Sequence, residues 1–399
     1  MKCKITDENI KPFMTFGKMP LANGFLNQNE FDSEFFYEME VGFSEKISLF
    51  QLNDFPNPKK IFNKKYPFYT GSSQYMINHF KNYAEWLKKD FLSSNSKLIE
   101  IGSNDGTFLK NFFNTNIDYI GIEPSESVAK QATKNGIKTL NIFFNKENIE
   151  NIKNFKNKTD VICAANVICH VPDLNNLISS IDSLLSSKGV FVFEEPYLGS
   201  MFSKVSYDQI YDEHIFMFSL TSVKKVFNLF DLDLIDAIPQ ITHGGSMRYV
   251  IGRKGKHQIN SRVQKSLDLE KTKKLDNLES CLKFKKDCED SKTNISAALH
   301  KLKEDGKTIC GYAATSKSTT ILNYCNIDKN IINFICDTTP DKIGKFSPGM
   351  HIPIVEVSHF HKNLPNVAYL FAWNHKEEIF AKEKEFSNKS GEWFSHVSL

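Results

Sequence analysis

The stretch KLIEIGSNDGTFLKNF, Lys97 to Phe112, constrains the fold more than any other. Its apolar run Leu98 to Ile101 reads as a strand that breaks at Gly102, and the chain then restarts as a helix near Thr107. Gly102 and Gly106, with Asn104 between them, leave the turn without bulky side chains, so its backbone can approach a ligand. The spacing is ExGxxxG from Glu100, and the GxGxxG of dinucleotide folds is absent. That pattern points to a nucleoside-type cofactor such as S-adenosylmethionine (SAM), which carries a sulfonium and a zwitterionic amino acid but no pyrophosphate. DYIGIEPS then supplies a second strand ending in Glu123, an acid placed where an adenosine ribose would present its hydroxyls.

Two more strands follow, DVICAAN (Asp160 to Asn166) and GVFVFEEP (Gly189 to Pro196). Between them Leu174, Leu177, Ile178, Ile181, Leu184 and Leu185 recur at helical spacing. Strand and helix alternating in this way predict an α/β chain with a parallel, doubly wound sheet, whose ligands lie over the carboxyl ends of the strands. Glu100, Gly102, Glu123, Asn166, His170 and Glu195 all fall at or just past such ends.

YDEHIF, Tyr211 to Phe216, packs a phenol, two carboxylates and an imidazole together before returning to apolar residues. With His170 it would reach the rim beside the cofactor. If a methyl group goes to carbon, a base must first remove a proton. Histidine is poised for that, a tyrosine can donate to an oxyanion, and a carboxylate such as Glu213 can orient the imidazole. The same residues also suit a turn and a hydrogen-bonded Tyr-x-x-His pair. HGGSMRYVI, from His243, reads as a tight glycine turn into a strand that closes the sheet, and the turn could also face a ligand.

From about Lys256 to Lys303 the chain is lysine-rich with sparse leucines, as in a long amphipathic helical connection. A second α/β unit follows. KTICGYAATSKSTTILNYC gives a strand, a turn of small residues and a helix, INFICDTTPDK a strand ending at Asp337, and VAYLFAWNHKEEI a strand ending near Trp373 and Asn374. Lys317 sits inside the hydroxyl-rich TSKSTT turn, which suits a phosphate or simply caps the helix.

Bulk properties exclude several classes. A chain of 399 residues with 41% hydrophobic and 24% charged residues folds as two or three domains, and a net charge of +3 without a basic block disfavours nucleic acid. No apolar run is long enough to cross a bilayer, and MKCKITDENIK does not resemble a signal peptide, so a soluble cytoplasmic protein is expected. Its eight scattered cysteines include no CxxC pair and are expected to be buried thiols.

EIGSNDGTFLK, CHVPDL, EEPYLG, YDQIYDEH, HGGSMRY, GYAATSKSTTILNYC, DTTPDKIGKFSPGMHIPI and LFAWNH together resemble the SAM-dependent sugar C-methyltransferases that act on nucleotide-linked 4-keto-deoxysugars. The resemblance implies a small N-terminal domain over 1–75, a class I methyltransferase Rossmann-like domain over 76–255, and a second Rossmann-like domain over 256–399 that holds the nucleotide sugar. It implies SAM at Glu100, Gly102, Asn104, Gly106, Glu123 and Asn166, and substrate at Tyr69, Ser72, Glu195, His243, Lys317 and Asp337. His214 is implied as the base, with Tyr211 as partner or alternative, Glu213 as helper and His170 near the keto oxygen. Tyr66 to Met76 resembles the family's ligand-touching entry into the central domain.

The chain departs from the family at its zinc site. Cys3 remains, but Thr6, Ser44 and Ile47 stand where three more thiolates are usual, so no structural zinc is expected, and Phe13, Phe16, Phe25, Phe43 and Phe50 are candidates to pack in its stead. A non-catalytic nucleotide-sugar binder and a nicotinamide oxidoreductase are the competing classes. The proton-transfer residues oppose the first and the ExGxxxG turn opposes the second.

Overall fold

The computed structural model describes residues 1–57 and 69–399, so Tyr66 to Phe68 of the expected entry segment lie outside the described residues. Strands, numbered along the chain, form three sheets. The first is antiparallel, in the order β1 (Pro12–Pro20), β2 (Phe36–Ser44), β3 (Leu49–Leu52) and β9 (Phe216–Met217). Phe13, Phe16, Phe43 and Phe50 are buried in the cluster that packs it, and Phe25 is partly buried against them.

The central sheet holds β4 (Lys97–Ile101), β5 (Asp118–Ile122), β6 (Thr139–Leu140), β7 (Thr159–Ala165), β8 (Leu185–Pro196), β10 (Leu232–Gln240) and β11 (Ser246–Arg253), in the order β10-β11-β8-β7-β4-β5-β6. Strands β4 to β8 pair in parallel, and β11 runs antiparallel between β8 and β10. Helices cover both faces, and for that reason the strands read as nearly unbroken apolar runs: Leu98, Ile99, Val161, Ile162, Phe191 and Phe193 are all fully buried.

The third sheet is wholly parallel, with β12 (Ile309–Tyr312), β13 (Ile335–Asp337), β14 (Ile354–Glu356), β15 (Val367–Leu370) and β16 (Glu392–Phe394) in the order β14-β13-β12-β15-β16. The α/β expectation holds. Three local expectations do not. The helix anticipated after Thr107 is a short 3-10 turn, Leu109–Phe112, because the Asp105 side chain bonds the Thr107 amide and hydroxyl and keeps the chain coiled in turns. The lysine-rich connection is two helices, Ser261–Thr272 and Leu278–Glu304, broken where Lys274 takes positive φ. The strand anticipated to run to Trp373 stops at Leu370, and Trp373–His375 is a 3-10 turn.

The apolar residues after the DEH triplet now have a reason. Ile215 to Phe218 are buried, and β9 zips onto β3 through Phe50–Met217 and Gln51–Phe216 pairs, with the Leu52 amide donating to the Ile215 carbonyl at 2.8 Å. The YDEH segment is therefore held at the junction of the first and central sheets.

Candidate active site

One cavity of about 1270 Å³ opens where the strand tips of the central and third sheets face each other. Drug-sized ligands occupy pockets of roughly 300–1,000 Å³, so this volume suits two ligands side by side. Of the sequence-selected residues, Tyr69, Ser72, Glu100, Gly102, Asn104, Glu123, Asn166, His170, Tyr211, Glu213, His214, His243, Lys317 and Asp337 line it.

The first wall is the turn after β4. Gly102 has φ +68° and a Cβ there would lie 2.3 Å from Val167, so both backbone and packing demand glycine. The Gly102 amide donates to the Ile122 carbonyl at 2.8 Å. Glu123 receives the Asn104 amide at 3.0 Å and the Ser125 amide at 2.7 Å. Tyr69–Ser72 clamps this turn from above, with the Thr70 amide bonded to the Asn104 side chain (2.9 Å) and the Gly71 amide to Asp105 (2.8 Å). Burial, followed by the charges of Glu123 and Asp105, pushes the Glu100 carboxyl well above the ordinary range.

The DEH segment forms the floor. His214 Nδ1 lies 2.6 Å from the Gln209 carbonyl, which can only accept, so Nδ1 carries the proton and Nε2 presents its lone pair to the Tyr211 hydroxyl at 2.8 Å. Burial and the neighbouring His170 hold His214 well below the ordinary histidine value, keeping it neutral, and burial takes His170 down to about 4. The two imidazoles lie nearly parallel with centroids 5.3 Å apart. Glu213 is pushed up to about 8 by burial and by the adjacent Asp212, and its Oε1 accepts from the Asn23 side chain at 2.6 Å.

The second wall is the turn after β12. Lys317 Nζ lies 3.3 Å from Asn374 Oδ1 and 4.4 Å from the Trp373 ring centroid, and burial lowers its pKa. Lys342 Nζ donates to the Ala314 carbonyl at 2.7 Å. His243, in the HGG turn, has φ +53°, and the following Gly244 packs so tightly on Trp373 that a Cβ would come within 2.1 Å of the indole.

Two placements correct the sequence reading. Glu195, expected on the substrate, is fully buried behind the wall: its Oε1 accepts the amides of Val167 (2.9 Å), Ile168 (2.6 Å) and Cys169 (3.3 Å), fixing the turn that presents His170. The strand alternation that turns its neighbour Glu194 to the opposite face turns Glu195 toward this turn. Gly106, expected at the cofactor, packs outside the cavity against Ile137, where a Cβ would lie 2.5 Å away.

Sequence reasoning also missed partners. Glu194 sits between His79 (2.6 Å) and the Arg248 Nε (2.6 Å), locking helix Gln74–Asp90 to β11. Asp208 accepts the Trp373 indole N–H at 2.7 Å and lies 3.1 Å from His396, tying the chain's last turn to the floor of the site. Asp208 lies in YDQIYDEH, whose density of polar groups was the available signal. Nothing in the pattern around Asn23 or His396 pointed to a partner.

Comparisons with known proteins agree with this architecture. Residues 241–397 match a C-methyltransferase C-terminal domain, 75–237 a methyltransferase domain, and 3–62 a putative zinc binding domain. C-methyltransferase NovU of Streptomyces niveus is 26% identical over 381 residues, 95% of this chain and 90% of that protein. Over nearly its whole length the chain is similar to C-methyltransferases. Carboxy-S-adenosyl-L-methionine synthase of Nautilia profundicola is 28% identical over 156 residues, 38% of this chain and 63% of that protein. Among solved structures, magnesium protoporphyrin IX methyltransferase of Synechocystis PCC 6803 aligns at 12% identity over 45% of this chain and 79% of its own, with a TM-score of only 0.35.

The methyltransferase's first wall fits its methyl donor. Glu100 Oε2 and Asn166 Oδ1 are buried acceptors without a hydrogen-bond partner among the described residues, and they suit the ammonium that SAM brings. The N-terminal sheet does not fit a zinc. Ser44 Oγ bonds the Glu8 carboxylate, Ile47 is buried beside Cys3, and among the described residues no group of three metal-capable side chains occurs in this sheet.

Proposed function

We propose that the enzyme methylates C-3 of a nucleotide-diphosphate-linked 4-keto-deoxysugar through an enolate. The observation that carries this reading is the His214 lone pair, held 2.8 Å from the Tyr211 hydroxyl by the Gln209 bond behind the ring, in a cavity lined by Glu100 and Glu123 on one side and by Lys317 and Lys342 beside Asp337 and Asp341 on the other.

The ketone acidifies the adjacent C–H, and the proton leaves to His214 Nε2, either directly once the Tyr211 hydroxyl turns to the keto oxygen or through Tyr211 as a relay. Enolate charge then stabilises the imidazolium, offsetting the burial that keeps free His214 neutral. Glu213, protonated at neutral pH, and His170 line the same floor and are assigned to the developing oxyanion. SAM supplies an electrophilic methyl that forms the new C–C bond as its sulfonium becomes a neutral thioether. Glu100, Asn104, Glu123 and Asn166 hold that donor, and Lys317, Lys342 and Ser316 hold the diphosphate, which joins two cations and a helix N-terminus.

The test pairs two measurements. In D2O without SAM, the enzyme should exchange the hydrogen on the carbon beside the ketone; with SAM, the product should gain one methylene unit. His214→Ala should lose about 10²–10⁴-fold in both while binding SAM normally. Methylation without exchange at that carbon would reject the enolate route.

A further inference from the structure

The turn that leaves β1 reaches the floor of the cavity from outside the central sheet. Its bend is closed by the Gly24 amide on the Leu21 carbonyl at 3.0 Å. Two consecutive residues of that bend meet the two consecutive acids of the DEH segment. The Ala22 amide donates to Asp212 Oδ1 at 2.9 Å, and the Asn23 side-chain amide donates to Glu213 Oε1 at 2.6 Å. Helix Ser316–Tyr324 holds the bend from its other side, where the Thr319 hydroxyl donates to the Ala22 carbonyl at 2.8 Å, and Leu26 and Phe346 exchange main-chain bonds a few residues on. Bonds on both sides fix Ala22, so Asn23 meets Glu213 in a set place.

Stability alone gives little reason for this arrangement. Burial raises both acids, Asp212 raises Glu213 further, and well-packed apolar side chains would avoid that cost. Glu213 and Asn23 both line the cavity. An amide nitrogen only donates, so the oxygen it meets is an acceptor, and the proton of the neutral acid is left to the other oxygen, Oε2. Among the titratable groups about Glu213, Asp212 adjoins it in the chain. Cys169 in the turn after β7 is raised by burial, by Glu195 and then by Glu213, and His170, His214 and Lys317 line the same cavity.

Resting on the oxyanion role proposed for Glu213, we infer that Asn23, from the N-terminal unit, is a positioning residue for the reaction: it occupies Glu213 Oε1, leaves the acidic proton on Oε2, and so aims that proton at the enolate oxygen. The N-terminal unit thereby completes the site on the methyltransferase domain.

The experiment follows kcat/KM against pH at saturating SAM, which takes Glu100 out of the profile, with UDP- and dTDP-linked 4-keto-6-deoxyglucose as substrates. Glu213 donates only while protonated, so wild-type activity should fall as pH rises through about 8, and Glu213→Gln should lack that limb. Asn23→Ala should lose roughly tenfold at neutral pH. Because a donor to the charged form lowers a carboxyl pKa, its alkaline limb should also move to higher pH. If calorimetry with SAM shows that Asn23→Ala does not fold, Asn23→Ser, with a shorter hydroxyl donor, should move the limb in the same direction. A limb left at its wild-type position in a variant that binds SAM normally overturns the inference, since a merely structural loss lowers the rate without moving the limb. A limb that persists in Glu213→Gln would instead remove the acid role of Glu213, and no turnover of either sugar by the wild-type chain would remove the keto-sugar reading beneath both.

Discussion

The turns after β4 and β12 share a backbone and differ in charge. Glu100 and Glu123 line the first with no cation among them, whereas at the second Lys317 and Lys342 stand beside Asp337 and Asp341, and the two face across one cavity. Parallel sheets present ligands to strand tips in either case, so the backbone fixes where a ligand goes and the tip residues fix which ligand. On the function proposed above, Glu100 and Glu123 would meet a donor carrying an ammonium and a sulfonium, and Lys317 and Lys342 a diphosphate.

The largest test of that contrast is a crossed pair of substitutions. Lys317→Ala should raise KM for the nucleotide sugar by roughly 10–100-fold, the worth of a charge-assisted bond, and leave the Kd for SAM alone. Glu123→Ala should weaken SAM by a similar factor and spare the sugar. Steady-state kinetics with each substrate varied in turn would check both. If either substitution raised both constants equally, the walls would not divide the ligands.

Glu100 sharpens the contrast with a smaller, pH-dependent effect. Its folded pKa is raised by burial first and by Glu123 and Asp105 next. A raised carboxyl pKa means that, without ligand, stability is fully present below the unfolded value of about 4.5 and is lost as pH climbs through the folded value. A cationic ligand reverses this by favouring the ionised carboxylate, so SAM binding should expel a proton. Affinity for SAM should then strengthen with rising pH, by up to about tenfold per pH unit, until free Glu100 is itself ionised. Calorimetry in buffers of different ionisation heats measures the released proton. Glu100→Gln should bind SAM with no pH slope in that window, and a slope that persisted would assign the proton elsewhere.

The same contrast explains what the sequence could and could not reveal. Strand-turn patterns identified both parallel sheets because their buried strands are continuous apolar runs bounded by glycine or small residues, as in KLIEIG and TICGYAA. Glu100, Gly102, Glu123, Asn166 and Asp337 were legible as cavity residues for the same reason: strand tips are read from the strands. Depth at a strand tip was not. Glu194, Glu195 and Pro196 follow one another, yet only Pro196 reaches the cavity while the two carboxylates anchor opposite faces of β8. Which face a tip residue takes depends on register with β7 and β11, and that is set by packing across the sheet. Long-range partners such as Asp208 with His396 were invisible because no periodicity links residues so far apart.

The N-terminal sheet provides the smallest effect and the plainest contrast with the family model that covers it. A zinc site holds its loops by four metal bonds and unfolds when the metal is removed. Here Cys3, Ile5, Ile10, Ile47 and Leu49 share one buried cluster, and the Ile47 amide turns back on Ser44 Oγ at 3.4 Å while that hydroxyl bonds Glu8. Aliphatic packing and a hydrogen-bonded turn occupy the place of the metal bonds. Removing the Ile47 side chain with Ile47→Ala should therefore cost about 2–5 kcal/mol, visible as a lower melting temperature of the N-terminal unit. A chelator should leave the melting temperature of the unsubstituted protein where it was, and metal analysis should find no zinc. A fall on chelation would mean that Cys3 recruits a metal with ligands other than Thr6, Ser44 and Ile47, because none of those three can supply a thiolate.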